Sequence, residues 1–591
     1  MHRLRLTAAA SCLALTATLH AQLTVPGQFA TIQQAVVAAA PGDVILVSSG
    51  EVVSAPINTL GKALTLRANG AVTITGFGAS RVFEIVSGEG NTTVIEGFDI
   101  RNCRAPAGAS PGAPGGDGGG VRLAGSSPIF RDCVFAFCRG GDGADGAPTS
   151  DVGGTGGNGG RGGAVAIQGG APRFERCRFE SNNGGPGGDG ADGANALTGT
   201  SPFVPAPTGG VGGRGGDGGA VYVQGTAQPV FLQCLFTNNS PGIGGGGGDG
   251  GHGANSPQIL GQYALSGGIG GAGGNGGDSG TAVILVDGNA QVELRNCTLA
   301  DNWLRVAGAA GAGGAGGVGT TTGATGTSGS NGGIGLCTGL KSSPTSSVMN
   351  TVLWNHTSTV GSALQYASVD VEGGANCIKS AARTQLTGFG NLMLTTSPFV
   401  VGGYAPLRSG PLVDAAGDWL LNANITADLD GGARWFDHPI GISVLDIGAL
   451  EDRTGELVQF NCDPNPIGTF SAGAGAPSLG TSFGVAVHAP GGHFPAPSIA
   501  LLIASTTGEL PNCGFALPGF GIDPTQPGTL LLDQPQILDL ALWTGSPTPF
   551  SIAVPNNPLL LGPKLLLQGA MFDPQTAHIG LTRALRVVIG E

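Results

Sequence analysis

Four segments of this chain align with one another without gaps of consequence: VRLAGSSPIFRDCVFAFC from Val121, VAIQGGAPRFERCRFESN from Val165, VYVQGTAQPVFLQCLFTNN from Val221 and VILVDGNAQVELRNCTLADN from Val283. Each reads as a short alternating strand, a Gly/Ala turn, a second alternating strand and a polar corner. From cysteine to cysteine the steps are 44, 57 and 63 residues, yet the repeated core stays near twenty residues, so only the insert between units grows. A short β unit that repeats with insertions at one corner cannot bury its apolar side alone. Stacking as the coils of a parallel β-solenoid buries it.

Stacked coils lie ~4.8 Å apart, so equivalent side chains form files along the axis. The inward files are expected to be Val121, Val165, Val221, Val283; Leu123, Ile167, Val223, Leu285; Phe130, Phe174, Phe231, Leu294; Cys133, Cys177, Cys234, Cys297; and Phe135, Phe179, Phe236, Leu299. The corner file is Cys138, Asn182, Asn239 and Asn302. Asparagine accepts the left-handed backbone of a corner and can bond its amide to the next one. The cysteine file reads as a buried apolar ladder, with neighbours close enough for disulfides as the alternative, and Cys103 shares the file of Cys138. IEGFDIRNC (Ile95–Cys103) fits the same frame with Phe98 in the cysteine file, and SVMNTVLWNH (Ser347–His356) is a decayed copy.

Between the units run glycine-rich inserts. GGDGADGAPTSDVGGTGGNGGRGG (Gly140–Gly163) has close relatives at Gly209–Gly219 and Gly267–Gly277, and glycine makes up 113 of the 591 residues. A Gly-Gly-X chain can adopt an extended helix with three residues per turn. These inserts enter successive coils at equivalent points, so they are expected to stack as a glycine layer beside the solenoid. The alternative is a set of flexible linkers.

The ends differ in character. MHRLR, the apolar run Leu6–Leu19 and a small residue at Ala21 make residues 1–21 an export signal, too short to span a membrane. FATIQQAVVAAAPGD (Phe29–Asp43) reads as a short helix with Thr31 and Gln34 as a capping box and Ile32, Ala35, Val36 and Ala39 on one face, closing the open end of the solenoid. With the helix and first strands, residues 22–100 form the cap and first coils, and 101–452 the main array. From 453 to 591 the glycine inserts stop and short apolar runs alternate with Pro/Gly/Asn turns, which reads as a small β-sandwich. Cys462 and Cys513 are its only cysteines and can form a disulfide.

The order FATIQQAVVAAAPGDVILVSSGEV…GKALTLRANGAVTITG followed by VIEGFDIRNC resembles the right-handed parallel β-helix proteins of the pectin-lyase-like superfamily. SPFV (Ser397–Val400), YAPLRSGPLVDAAGDW (Tyr404–Trp419), ADLDGGAR (Ala427–Arg434) and LDIGALE (Leu445–Glu451) are similar to the closing segment of its large secreted bacterial branch. The sandwich resembles modules appended to secreted bacterial proteins. The resemblance implies an all-β right-handed β-helix with an N-terminal helical cap, export to the medium or cell surface, and a polysaccharide or cell-envelope partner.

Chemistry is harder to find. Enzymes on that fold gather carboxylates with an Arg or Lys on one outer face. Here the outward files Val134, Arg178, Leu235, Thr298 and Ala136, Glu180, Thr237, Ala300 gather no acids. The files Arg131, Glu175, Leu232, Arg295 and Asp132, Arg176, Gln233, Asn296 read as surface ion pairs. A Gly-His-Gly at 251–253 lies inside a glycine insert without partner motifs. The two GGDGADGA stretches match the start of a calcium-binding solenoid repeat, which makes Asp142, Asp145, Asp189 and Asp192 weak calcium candidates, with Asp428 and Asp430 of DLDGG. No cofactor is required by any motif. A net charge of −13 with four lysines argues against nucleic acid, and no later stretch spans a membrane. The reading is a non-catalytic exported scaffold. The alternatives are a polysaccharide lyase or hydrolase, and a glycan binder for which Tyr222 and Trp354 would be the exposed aromatics.

Overall fold

A computed structural model describes residues 21–197, 205–334, 337–341, 346–354, 357–358, 364–367, 376–379, 391–401, 403–407, 410–412, 415–416, 428–430, 446–450, 456–459, 464–506, 510, 514–557, 560 and 565–590. The export signal, Cys462 and Cys513 lie outside these residues, as does most of the closing segment. Contacts divide the chain into two compact units, Met1–Gly373 with Ile378–Gln385, and Gly374–Cys377 with Leu386–Glu591.

The first unit is a parallel β-helix. The strand Val121–Ala124 pairs in parallel with Val165–Gln168, that with Val221–Gln224, and that with Ile284–Val286. On the next side of the coil, Phe130, Phe174, Phe231 and Leu294 pair in register, as do Phe135, Phe179, Phe236 and Leu299. The rings stack at 5.2 and 4.8 Å in the first file and at 4.8 and 4.5 Å in the second, within 9° of parallel. Rings of one file meet those of the other edge-on, which suits their quadrupoles. Phe98 falls in the cysteine file as expected, because Asp99 pairs with Val134.

One register differs from expectation. Ile284, not Val283, sits beside Val221, and Val286, not Leu285, beside Val223. The fourth coil has one residue fewer between its corner and its strand: Ala282 takes the left-handed conformation (φ 58°) that Gly118, Gly162 and Gly218 take in the earlier coils. Alignment by sequence alone slides past that deletion, because Val283, Ile284, Leu285 and Val286 are all apolar and all buried.

Two further bends flank the strands that carry the cysteine and second phenylalanine files, each made by a single left-handed residue. Gly97, Asp132, Arg176, Gln233, Asn296 and Asn350 form the first file of such residues; Asn102, Phe137, Ser181, Asn238 and Asp301 form the second. The corner asparagines 182, 239 and 302 follow the left-handed residue and do not adopt that conformation, contrary to expectation. Their amides instead point into the bore, where they are fully buried.

At the N-terminal end the helix Ile32–Ala38 buries Ile32, Ala35 and Val36 against the strands Gln22–Val25 and Val44–Val47. Thr31 accepts from Gln34 N, and Lys62 Nζ donates to the carbonyls of Val36, Val37 and Ala39 at 2.8 Å, so both helix ends are satisfied.

The glycine inserts are ordered. Each leaves the coil as an outward arm and comes back as a return arm: 140–147 and 153–162, 184–196 and 206–218, 242–256 and 267–280, 308–318 and 323–333. Hydrogen bonds recur every third residue, the period of the extended threefold helix. The first glycine of a triplet bonds to the same kind of arm in the next coil (Gly143 N to Pro186 O, 2.9 Å; Gly156 N to Val211 O, 2.8 Å). The second bonds across to the other kind (Gly157 N to Ala144 O, 2.7 Å; Gly188 N to Gly157 O, 2.8 Å). The inserts therefore make two cross-bonded layers rather than the single layer expected. A Cβ on Gly143 would lie 1.9 Å from Gly157 O, and one on Gly157 would lie 2.0 Å from Ala113 O. This close approach is why two residues in three are glycine.

In the second unit, the strands Glu456–Gln459, His578–Val588, Leu565–Asp573, Ser498–Ser505 and Gln536–Trp543 form an antiparallel sheet. Phe470–Ala472, Ser482–Val487 and Thr548–Ala553 form another. Phe483, Val485, Leu502, Phe550, Met571 and Val587 belong to the buried core between them, a sandwich as expected.

Candidate functional site

Each thiol of the cysteine file follows a left-handed residue and turns inward. Cys133, Cys177, Cys234 and Cys297 are free and fully buried. Cys177 donates to Phe130 O, Cys234 to Phe174 O and Cys297 to Phe231 O, all at 3.5 Å, one coil back in each case. Burial pushes the thiols of Cys133, Cys177 and Cys234 well above their usual pKa, so they are unionised. Cys103 and Cys138 are also free. The file serves as packing and as weak rungs between coils, not as a nucleophile.

The asparagine file is a ladder. Asn182 Nδ2 donates to Asn239 Oδ1 at 3.0 Å and to Phe135 O at 2.8 Å. Asn239 Nδ2 donates to Asn302 Oδ1 at 3.1 Å and to Phe179 O at 2.8 Å. The same Oδ1 atoms accept from the backbone N–H groups of Asn182 and Asn239 at 2.9 Å. At the lower end Cys138 N donates to Asn182 Oδ1.

The acidic candidates lie on the solvent faces of the glycine arms, where the third residue of each triplet points out. Asp145 Oδ1 accepts from Asp189 N at 2.8 Å, Asp189 Oδ1 from Gly246 N at 2.6 Å, and Asp192 Oδ1 from Asp249 N at 2.8 Å. Asp142 pairs with Arg104 and Arg139. Asp428 accepts from Asp430 N at 3.0 Å within its own turn. Asparagine and histidine do the same work as these aspartates: Asn158 accepts from Arg214 N, Asn275 from Ser330 N, and His252 Nδ1 from Ala315 N. The third N–H of the triplet is thus bonded as well, a role that sequence reading missed. Its signal was the recurrence of Asp, Asn and His at the X positions. Among the described residues no group of three or more His, Cys, Asp or Glu is placed to hold a metal ion.

The outer sheet face carries ion pairs in the early coils. Glu96 lies 3.3 Å from Arg67, Arg131 bonds Glu175 at 2.8 Å, and Arg176 bonds Asp132 at 2.6 Å. In the later coils Gln233, Leu235, Asn296, Thr298 and Ala300 are buried rather than solvent-facing, and the replacement of charged by uncharged residues at those positions was the sign of a covered face. Trp354 and Tyr222, expected to be exposed, are buried. The Arg161 guanidinium lies 4.2 Å over the Tyr222 ring and donates to its hydroxyl at 2.6 Å, while Ala282 and Leu285 pack beside it. Neither ring is free to stack on a sugar.

What the fold does present to solvent is the distal end of the glycine arms. The insert of residues 242–280 ends in a small antiparallel hairpin, Gln258–Ile259 with Gln262–Tyr263, whose central residues Leu260 (φ 52°) and Gly261 (φ 77°) make a two-residue left-handed turn. Leu260 is 100% and Ile259 65% exposed; Leu197, Leu265 and Val318 at the ends of neighbouring arms are also exposed. Thr320 N donates to Leu265 O and Ser256 N to Val318 O, which ties the end of this insert to the end of the next.

No protein-family model matches the chain, and no curated protein matches it. Among solved structures, it is similar to the receptor-binding protein of bacteriophage Det7, a podoviral tailspike in a myovirus, at 12% identity over 91% of this chain and 98% of that one. The TM-score is 0.13, too low to carry an argument about ligand or role.

Proposed function

We propose that the protein is an exported, non-catalytic β-helix scaffold that attaches to a cell surface or envelope polysaccharide through the ends of its glycine arms. One observation carries this reading. The arms are held by backbone hydrogen bonds along their whole length, and the most exposed of their large apolar side chains, Leu197, Ile259 and Leu260, lie at the tips, with Val211 and Ile243 less exposed along the arms. A chain that spends this much glycine on a stiff slab, and then leaves leucine and isoleucine bare at its end, is built to project a contact. The outer sheet face supports the non-catalytic half of the reading, because its carboxylates are tied in ion pairs with arginine.

The test has two readouts. Purified protein incubated with polygalacturonate and calcium should release no unsaturated ends. Its co-sedimentation with isolated bacterial envelopes should fall at least fivefold in an Ile259→Ser/Leu260→Ser variant with an unchanged melting temperature. Turnover, or equal sedimentation of the variant, would overturn the proposal.

A further inference from the structure

At the root of the outward arms, Arg104, Arg139, Asn183 and Ser240 form one file joined by single parallel bridges. Arg305 lies across this file. Its Nε donates to Ser240 Oγ at 2.9 Å and its Nη2 to Asn183 Oδ1 at 3.1 Å, and its guanidinium sits 4.3 Å over the Trp303 ring. Arg139, Asn183, Pro186, Pro241, Ile243 and Arg305 line a cleft of about 100 Å³.

The charges around this cleft do not balance. Arg104 and Arg139 share the single carboxylate of Asp142. Arg305 forms no ion pair among the described residues, and the positions that follow Asp142 up its own file are Pro186 and Ile243. Arg139 Nε is buried without a hydrogen-bond partner. Burial, and next the charge of Arg139, depress the proton affinity of Arg305, as two facing cations require. Three guanidiniums thus stand against one carboxylate in a chain whose net charge is −13.

We propose that this cleft is an oxyanion site in which Arg139 and Arg305 clamp a sulfate, phosphate or carboxylate group, either as a free ion or as the substituent of an acidic glycan. The guanidinium forks supply paired donors for such a group. Pro186, Pro241 and Ile243 shield it from water, and Asn183 and the Trp303 ring hold Arg305 in place. The volume admits one oxyanion and not a whole sugar chain, so a polymer would insert a single charged substituent. The site stands whether or not the arm tips attach to anything.

The experiment is calorimetric titration of the whole protein at low ionic strength with sodium sulfate, phosphate, glucuronate and polygalacturonate, and with glucose as the uncharged control. One saturable site for at least one anion and none for glucose is expected. Arg305→Gln and Arg139→Gln should each weaken it at least tenfold, Arg305→Lys less, and Arg176→Gln on the outer face not at all. Melting curves confirm that each variant is folded; if Arg305→Gln is not, Arg139→Gln decides. Binding of glucuronate and polygalacturonate assigns the site to an acidic glycan, and binding of sulfate or phosphate alone assigns it to the inorganic ion or its ester. Absence of saturable anion binding, equal binding of glucose, or full affinity in folded Arg139→Gln would overturn the proposal.

Discussion

Asn239 shows what one side chain can carry in a stacked fold. Its amide makes four hydrogen bonds, two donated to Phe179 O and Asn302 Oδ1 and two accepted from Asn182, all fully buried. Asn239→Ala leaves those partners without water or replacement, so a loss of about 3–5 kcal/mol is expected. It should be read as a lower melting temperature together with faster hydrogen exchange at the backbone amide of Asn182, whose acceptor is lost. Glu89 plays the matching part in the first coils. Burial alone would raise its pKa, but bonds from Thr59 Oγ1 (2.7 Å), Gly61 N, Ser87 N and Ser126 Oγ (2.9 Å each) together hold it below the usual 4.5. Its folded pKa lies below its unfolded one. The stability it adds is therefore present above about pH 4.5 and lost as pH falls through the folded value. Glu89→Gln should lower the melting temperature at pH 7, and the gap to wild type should close toward pH 3. The asparagine file and its amide-to-amide bonds were legible from its spacing, but its place beside the bend was not. Sequence alone cannot tell a residue that makes a bend from one that follows it and turns inward, and here the bend fell to Phe137, Ser181, Asn238 and Asp301.

At the scale of the glycine arm, the geometry separates glycines that are required from those that are not. A Cβ on Gly157 meets the backbone oxygen of Ala113, which cannot move without breaking the cross-layer bonds. A Cβ on Gly246, at an outward X position, finds nothing nearer than Asp189 Oδ1 at 3.4 Å. Gly157→Ala should destabilise the array by about 3 kcal/mol or more, whereas Gly246→Ala should change stability by less than about 0.5 kcal/mol. Thermal melts and limited proteolysis of the inserts distinguish the two. The Gly-Gly-X period made the threefold helix legible, and the common entry point into each coil made stacking legible. The second layer was not, because the cross bonds of Gly157 and Gly188 join residues whose pairing depends on where each insert turns back. The coil register was readable wherever a phenylalanine or cysteine marked it. It failed at Val283–Val286, where four apolar residues in a row left nothing to mark the shift. The root cleft of Arg139 and Arg305 was out of reach for a related reason: Arg305 bonds Asn183, 122 positions earlier and two coils away, with no motif to connect them.

The whole molecule carries a net charge of −13, and the glycine slab shows part of it as an outward face bearing Asp145, Asp189, Asp192 and Asp249. Two effects oppose each other there. Carboxylates on neighbouring arms repel, which would favour a divalent cation between them. Yet one oxygen of Asp145, of Asp189, of Asp192 and of Asp249 is fixed on a backbone N–H of the next arm, at 2.8, 2.6, 2.8 and 2.7 Å, which spreads its charge into the hydrogen-bonded slab. That leaves one oxygen per residue for a metal that takes six to eight oxygen ligands, on an exposed surface where salt already screens the repulsion. Backbone bonding should therefore dominate. Dialysis against a chelator is expected to move the melting temperature by less than about 1 °C, and 5 mM calcium to add no more than the same ionic strength of sodium chloride does, on the scale where ~1 kcal/mol shifts a mid-sized domain by 2–4 °C. If calcium instead raised the melting temperature by several degrees, and Asp189→Asn removed the rise, the free oxygens of this face would be cation ligands. The slab would then be held by metal as well as by its own backbone.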